Sequence, residues 1–136
     1  MYIASSPSNP SQRARVLIVA READTCLLLS GVLAREGFYN ALVPEIKDMA
    51  RVLQDEAPAD AVVVDDASYS PQEVETLVRG MHAHPAWSRA PLLILSARDS
   101  EEQETAFLNM GADDCVAKPL KTKALVARIK RRIESV

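Results

Sequence analysis

Residues 59–65 read ADAVVVD, three consecutive valines set between Pro58 and the pair Asp65-Asp66. A strand with one wet face alternates apolar and polar residues. An unbroken β-branched run instead expects a strand buried on both faces, which requires helices above and below a parallel sheet. Similar runs recur on either side. RVLIV (15–19) precedes a helical stripe of Leu28, Leu29, Val32 and Leu33 that stops at Gly37. FYNALV (38–43) reads as a weaker strand, followed by a helix opening at Pro44 and carrying Ile46, Met49, Ala50 and Leu53. Beyond the valines, Ser70-Pro71-Gln72-Glu73 has the form of a capping box with Pro at the first helical position. PLLILS (91–96) is a fourth strand, and Ser100-Glu101-Glu102-Gln103 caps the next helix. DDCVA (113–117) is a short fifth strand, and 124–133 a last amphipathic helix.

The pattern is (βα)₅. Parallel neighbours need crossover helices of right-handed sense. The expected fold is therefore α/β, a flavodoxin-like, doubly wound parallel sheet of order 2-1-3-4-5.

Length and composition agree with one domain. The chain has 136 residues, 48% hydrophobic and 26% charged, a soluble globular balance. No apolar run approaches the roughly 20 residues of a membrane span. Residues 1–14, MYIASSPSNPSQRA, lack a basic start and apolar stretch and read as a flexible tail, leaving 15–136 as the folded domain. Cys26 and Cys115 fit neither a metal spacing nor a disulfide framework, so a cytoplasmic location is the simplest inference. The net charge of −3 is uneven: residues 118–136 carry +6 and the remainder −9. The basic end reads as a solvated helix face whose cations complement the helix terminus. With few aromatics and no DNA-reading motif, direct nucleic-acid binding is not expected.

In the 2-1-3-4-5 order, the first and third strands lie side by side at the switch point, where ligands of open α/β sheets bind. Their carboxyl ends present Ala20-Arg21-Glu22 and Asp65-Asp66; the fourth strand ends at Ser96-Ala97, and the fifth leads into Lys118-Pro119. A carboxylate, a small hydroxyl and a lysine on one rim suit acyl-phosphate chemistry. The aspartate attacks phosphorus, lysine and hydroxyl hold the phosphoryl oxygens, and a divalent metal neutralises the rest.

Here the chain resembles the receiver domain of bacterial two-component response regulators, the CheY-like family, from residue 15 to about residue 133. LLILSARDSEEQETAFLNMGADDCVAKPL (92–120) is similar to the family's fourth strand through its Lys-Pro turn, and VLIVAREADTCLLLSGVLAREGF (16–38) aligns without a gap to its first strand and helix. The resemblance implies that Asp65 is the phosphoacceptor position, Lys118 the lysine position and Ser96 the switch hydroxyl. It also implies a cis bond before Pro119. The departures are specific. Ala20 and Arg21 replace an acidic pair, and Glu22 sits one place late. The loop DDASYSP (65–71) lacks the family's Pro, Glu73 stands where Gly is usual, and Cys115 replaces the switch aromatic.

These departures imply a degenerate Mg²⁺ site whose remaining ligands are Glu22, Asp65 and the Ala67 backbone. Metal is weak or absent because Arg21 replaces the usual carboxylate, and phosphorylation at Asp65 is put in question. Two placements of Arg21 are open. It points inward and pairs with Asp65 in the metal's place, or it swings out while Glu22 or Asp66 partly supplies the missing ligand. Asp66 reads as solvated or capping its loop, Asp113 and Asp114 as turn residues, and Trp87 as packing over the sheet edge. His82 and His84, at i and i+2, make a poor metal pair for a helix. Of Leu27, Leu28 and Leu29, one must face outward, on the helix where kinases and phosphotransfer proteins dock in the family.

The expectation is a non-enzymatic receiver module of phosphorelay signalling that acts through protein contacts. By resemblance its partners are a histidine kinase or phosphotransfer protein, and an output domain or downstream protein on the face of the fourth helix, fifth strand and fifth helix (100–133). A homodimer is also allowed. The alternatives are an ordinary Asp-phosphorylated switch and, in another class, a flavodoxin-like flavin binder. The latter needs a hydroxyl-rich phosphate loop after the first strand, which AREADT does not supply. A haloacid-dehalogenase-type phosphohydrolase needs Asp-x-Asp, which Asp65-Asp66-Ala67 does not supply. A dinucleotide binder needs a glycine-rich turn, and residues 20–30 contain no glycine.

Overall fold

The computed structural model describes residues 3–5, 14–97 and 100–134. In chain order the strands are β1 (Ile3–Ser5), β2 (Arg15–Val19), β3 (Tyr39–Val43), β4 (Ala61–Asp65), β5 (Leu92–Ser96) and β6 (Asp114–Ala117). The helices are α1 (Ala23–Arg35), α2 (Met49–Asp55), α3 (Pro71–Ala83), α4 (Glu101–Met110) and α5 (Thr122–Glu134). The sheet order is β1-β3-β2-β4-β5-β6. Its five parallel strands, β2 to β6, reproduce the expected 2-1-3-4-5 arrangement.

Two elements correct the sequence reading. Ile3–Ser5, within the stretch expected to be a tail, pairs antiparallel with β3, matching Ile3 to Leu42 and Ser5 to Asn40. It is short enough to carry no periodic signal. The rest of that stretch up to residue 13, residues 1–2 and 6–13, lies outside the described residues. The helix expected at Pro44 begins later, at Met49, after a 3₁₀ turn over Ile46–Asp48. Glu45 is extended, and the Pro44 carbonyl is held by the Tyr69 hydroxyl at 2.6 Å, so the chain cannot coil until it is past that bond.

Successive strand residues face opposite sides, and both sides are apolar. Leu17, Val19, Val62, Val64 and Ile94 pack with Met49, Val52, Leu77, Val78, Met81 and Phe107 beneath α2, α3 and α4. Val16, Ile18, Val63, Leu93 and Leu95 pack with Leu29, Leu33, Leu125 and Ile129 beneath α1 and α5. Val62, Val63 and Val64 are all fully buried. At about 1.5–3 kcal/mol each, their burial rivals the whole net stability of an ordinary domain, about 5–15 kcal/mol. That fixes β4 at the centre. Trp87 is wholly buried in the α2–α4 layer, its indole N–H donating to the Glu56 carbonyl at 3.3 Å.

The helix ends position the rim. α3 starts with the expected capping box: the Glu73 amide donates to Ser70 Oγ at 3.2 Å, and the Ser70 amide donates to Glu73 Oε1 at 3.0 Å. Ser100 Oγ accepts the Gln103 amide at 3.2 Å, and α4 stops at Gly111, with φ of 124°. A Cβ there would lie 2.9 Å from His82 Nδ1, so only glycine lets the end of α4 close against α3. Among the described residues no helix is long and apolar enough to cross a membrane.

Candidate functional site

β4 ends at Asp65, whose side chain has no exposure. Lys118 reaches it from the turn after β6, placing Nζ 2.6 Å from Asp65 Oδ1. The lysine is fixed by its own backbone: its amide donates to the Ser96 carbonyl at 2.9 Å, and the Lys118–Pro119 bond is cis. The other carboxylate oxygen, Oδ2, accepts the Ser68 hydroxyl at 3.0 Å. Ser68 closes a 3₁₀ turn over Asp66–Ser68, in which side chains three residues apart eclipse, and this brings residue 68 back over residue 65.

The same turn carries Asp66 inward. It is fully buried, and its Oδ2 accepts the Ser96 hydroxyl at 3.4 Å. That corrects the reading of Asp66 as a solvated residue. It also places Ser96 beside the second aspartate of the pair.

Arg21 takes the outward of its two placements. Its guanidinium bonds Glu45 Oε2 at 2.8 Å and the Ser68 carbonyl at 3.4 Å, and its carbon lies 5.0 Å from the centroid of the Tyr69 ring. The inward pairing with Asp65 is not formed. Lys118 already neutralises that carboxylate, whereas Glu45 and the ring face offer the arginine a partner and a platform outside. The Arg21 backbone stays at the rim, its N–H donating to Ser68 Oγ at 3.2 Å. Burial pushes the Tyr69 phenol above its ordinary range, against the opposing pull of Arg21.

The remaining expected residues are spread out. Glu22 is exposed and turned to the first turn of α1, where its Oε1 accepts the Thr25 hydroxyl at 3.2 Å. Ala67 is exposed. Cys115 is half-buried on β6, its thiol pushed up to about 11 by burial and then by Glu104, Asp114 and Asp66. Among the described residues no three His, Cys, Asp or Glu side chains form a group able to hold a metal ion. Asp113 accepts the Leu92 amide at 2.8 Å and Asp114 pairs with Arg128 at 3.0 Å, both turn-holding roles. His84 Nδ1 accepts the amides of Ala86 and Trp87. Both Leu27 and Leu28 face outward, at 73% and 42% exposure; of the three leucines only Leu29 is core.

Sequence reasoning missed three groups here. Ser68 and Tyr69 look like ordinary loop residues, though Ser68 sits three places after Asp65, the spacing a 3₁₀ turn would bring together. Cys26 lies close enough to Asp65 and Glu22 for both charges to add to the effect of burial in raising its thiol, and its Sγ donates to the Ala20 carbonyl at 3.5 Å.

No family model matches the chain. Curated relatives do. The chain is 32% identical over 116 residues to the transcriptional regulatory protein CpxR of Klebsiella pneumoniae, covering 85% of this chain and 47% of that protein. It is 35% identical over 117 residues to the sensory transduction protein RegX3 of Mycobacterium tuberculosis, covering 85% and 48%. The chain thus spans about half the length of the curated relatives it matches. Among solved structures it is similar to the receiver domain of a signal transduction histidine kinase from Syntrophus aciditrophicus, with TM-score 0.79, 23% identity, and coverage of 90% and 92%. It is also similar to the receiver domain of a sensor histidine kinase from Pseudomonas aeruginosa PAO1, with TM-score 0.78, 22% identity, and coverage of 90% and 98%. In that structure a magnesium ion is coordinated in the active-site cleft.

Proposed function

The chain is a receiver domain of the response-regulator family, and from that premise we propose that it signals through protein contacts while Asp65 is held silent by groups of the chain itself. One observation carries this reading: the Asp65 carboxylate is withdrawn from solvent, with Lys118 on one oxygen and Ser68 on the other. A phosphoacceptor must present a free lone pair in line with an incoming phosphorus. An oxygen 2.6 Å from an ammonium is a weaker nucleophile, and one buried under a turn is out of a donor's reach.

The donor set does not suit resident Mg²⁺. That ion demands near-octahedral oxygen ligands and is usually held by one or two carboxylates. The end of β2 offers Ala20 and Arg21, and Glu22 is turned toward Thr25. Replacing a carboxylate by a guanidinium moves the local charge by two units, which weakens attraction for a divalent cation further. Among the described residues Lys118 is the cation paired with Asp65. The magnesium site is weak for these reasons.

The partner surface is the face of α4, β6 and α5. Glu101 and Glu102 are exposed on α4, and Arg128, paired with Asp114 of β6, and Arg131 on α5, so it presents both signs of charge to an output domain, a downstream protein or a second copy. Leu27 and Leu28 on α1 supply an apolar contact for a histidine kinase or phosphotransfer protein. The module turns over no substrate of its own and works in the cytoplasm.

The ordinary switch remains the second reading, favoured by the presence of Asp65, Ser96 and Lys118 on a single rim. Incubation with phosphoramidate and Mg²⁺ separates the two. The silent reading expects no acid-labile phosphoryl group on the native chain. Stoichiometric labelling that disappears in Asp65→Asn would establish the ordinary switch instead.

A further inference from the structure

A metal at this rim would tie the end of β2 to Asp65. In this chain a hydroxyl already makes that tie. Ser68 Oγ accepts the Arg21 amide at 3.2 Å and donates to Asp65 Oδ2 at 3.0 Å. One atom therefore acts as acceptor toward one strand end and donor toward the other. From outside, the Arg21 side chain returns to the same residue, donating to the Ser68 carbonyl at 3.4 Å and continuing over Tyr69 to Glu45. Tyr69 anchors the turn in its own way, giving its hydroxyl to the Pro44 carbonyl at 2.6 Å. Residue 68 is gripped on both sides.

Resting on the silent-site reading, we infer that Ser68 is the positioning residue that keeps Asp65 closed to metal, so that restored carboxylates on β2 do not by themselves restore binding. A cation approaching Asp65 Oδ2 meets the hydroxyl proton directed at that oxygen. To admit it, the Ser68 hydroxyl must turn its proton away from Asp65 and give up that charge-assisted bond, while Oγ still holds the residue-21 amide. The backbone half of the bridge survives any side-chain change at position 21, because the amide makes it. Removing the arginine therefore leaves the Ser68 tie in place.

The test is Mg²⁺ titration of the full chain, followed by amide shifts around Asp65, in an Ala20→Asp/Arg21→Asp background. Adding Ser68→Ala to that background should tighten Mg²⁺ binding by about tenfold or more, the order expected from removing a hydrogen bond to a charged group. Adding Ser68→Thr, which keeps the hydroxyl, should not. Affinities within about twofold for the Ser68 and Ser68→Ala forms would overturn the inference. Three clustered carboxylates can prevent folding, so a second measurement uses the native background. Hydrogen exchange at the Arg21 amide should accelerate about tenfold in Ser68→Ala and hold in Ser68→Thr; an unchanged rate overturns the inference equally. The two proposals fail separately. Labelling of the native chain at Asp65 defeats the silent acceptor, whereas equal Mg²⁺ affinities in an unlabelled protein defeat only the role of Ser68.

Discussion

Ser96 gives its hydroxyl to Asp66, at 3.4 Å, while Asp65 takes its hydroxyl hydrogen bond from Ser68. The two aspartates at the end of β4 thus divide the available hydroxyls between them. The Ser96 bond is long, so Ser96→Ala should cost only about 1 kcal/mol, measured as a lower urea midpoint at constant slope. Its amide shifts should concentrate at Asp66–Ser68. A larger change at Lys118, whose amide binds the Ser96 carbonyl, would contradict this division.

The Lys118–Asp65 pair predicts a double-mutant cycle with strong coupling. Lys118→Met leaves a buried carboxylate uncompensated and should destabilise by about 3 kcal/mol, the lower end for a broken buried pair because Lys118 is 18% exposed. Adding Asp65→Asn removes the stranded charge and should return stability to within about 1 kcal/mol of native. Additive losses in urea unfolding would mean that the pair contributes no mutual stabilisation.

Alkaline unfolding should begin early. The Cys115 thiol rises from 9.0 to about 11, and burial also raises the Tyr69 phenol above its ordinary 10.0. Both groups are neutral when protonated, and the folded state holds their protons more tightly than the unfolded state. Their stabilisation is complete below the unfolded values and is lost as pH rises through the folded ones. Stability should therefore be level up to about pH 8.5 and fall from about pH 9 to 11 and beyond. Tyr69→Phe should lower stability at neutral pH by about 1 kcal/mol, since the Pro44 carbonyl loses its donor, yet flatten the alkaline fall. A slope unaltered by that substitution would remove Tyr69 from the account.

Gly111→Ala combines backbone strain with a clash. With φ of 124° and a Cβ 2.9 Å from His82 Nδ1, it should cost more than about 1 kcal/mol. His82→Ala in the same chain should recover the steric part and leave the backbone part. Full recovery in thermal melts would mean that the positive φ costs nothing.

The fold was legible where burial on both faces left one pattern possible. Val62 to Val64 and Ile94 with its neighbours admit no alternating strand, and the strand order then brings the ends at Asp65, Ser96 and Lys118 to one rim. Direction of side chains was not legible. Whether Arg21 turns to Asp65 or to Glu45 depends on a competition between partners 44 and 24 positions away, decided by Lys118, a third residue far along the chain. Ser68 and Tyr69 belong to a turn whose 3₁₀ character has no periodic signature. Ile3–Ser5 is a strand only because β3 offers an open edge, a property of the assembled sheet.

The built-in cation on Asp65 also bears on what could vary in the cell. If that carboxylate is balanced by Lys118 at all magnesium levels, the outer surface of the domain is a constant. Occupancy of a partner then follows the ratio of chain concentration to dissociation constant. On that reading the adjustable quantity would be copy number, and a change in expression around that constant would do the work that a covalent mark does elsewhere. On the proposed silent-site reading the domain would act by titration, sequestering or recruiting its partner in proportion to how much of it has been made.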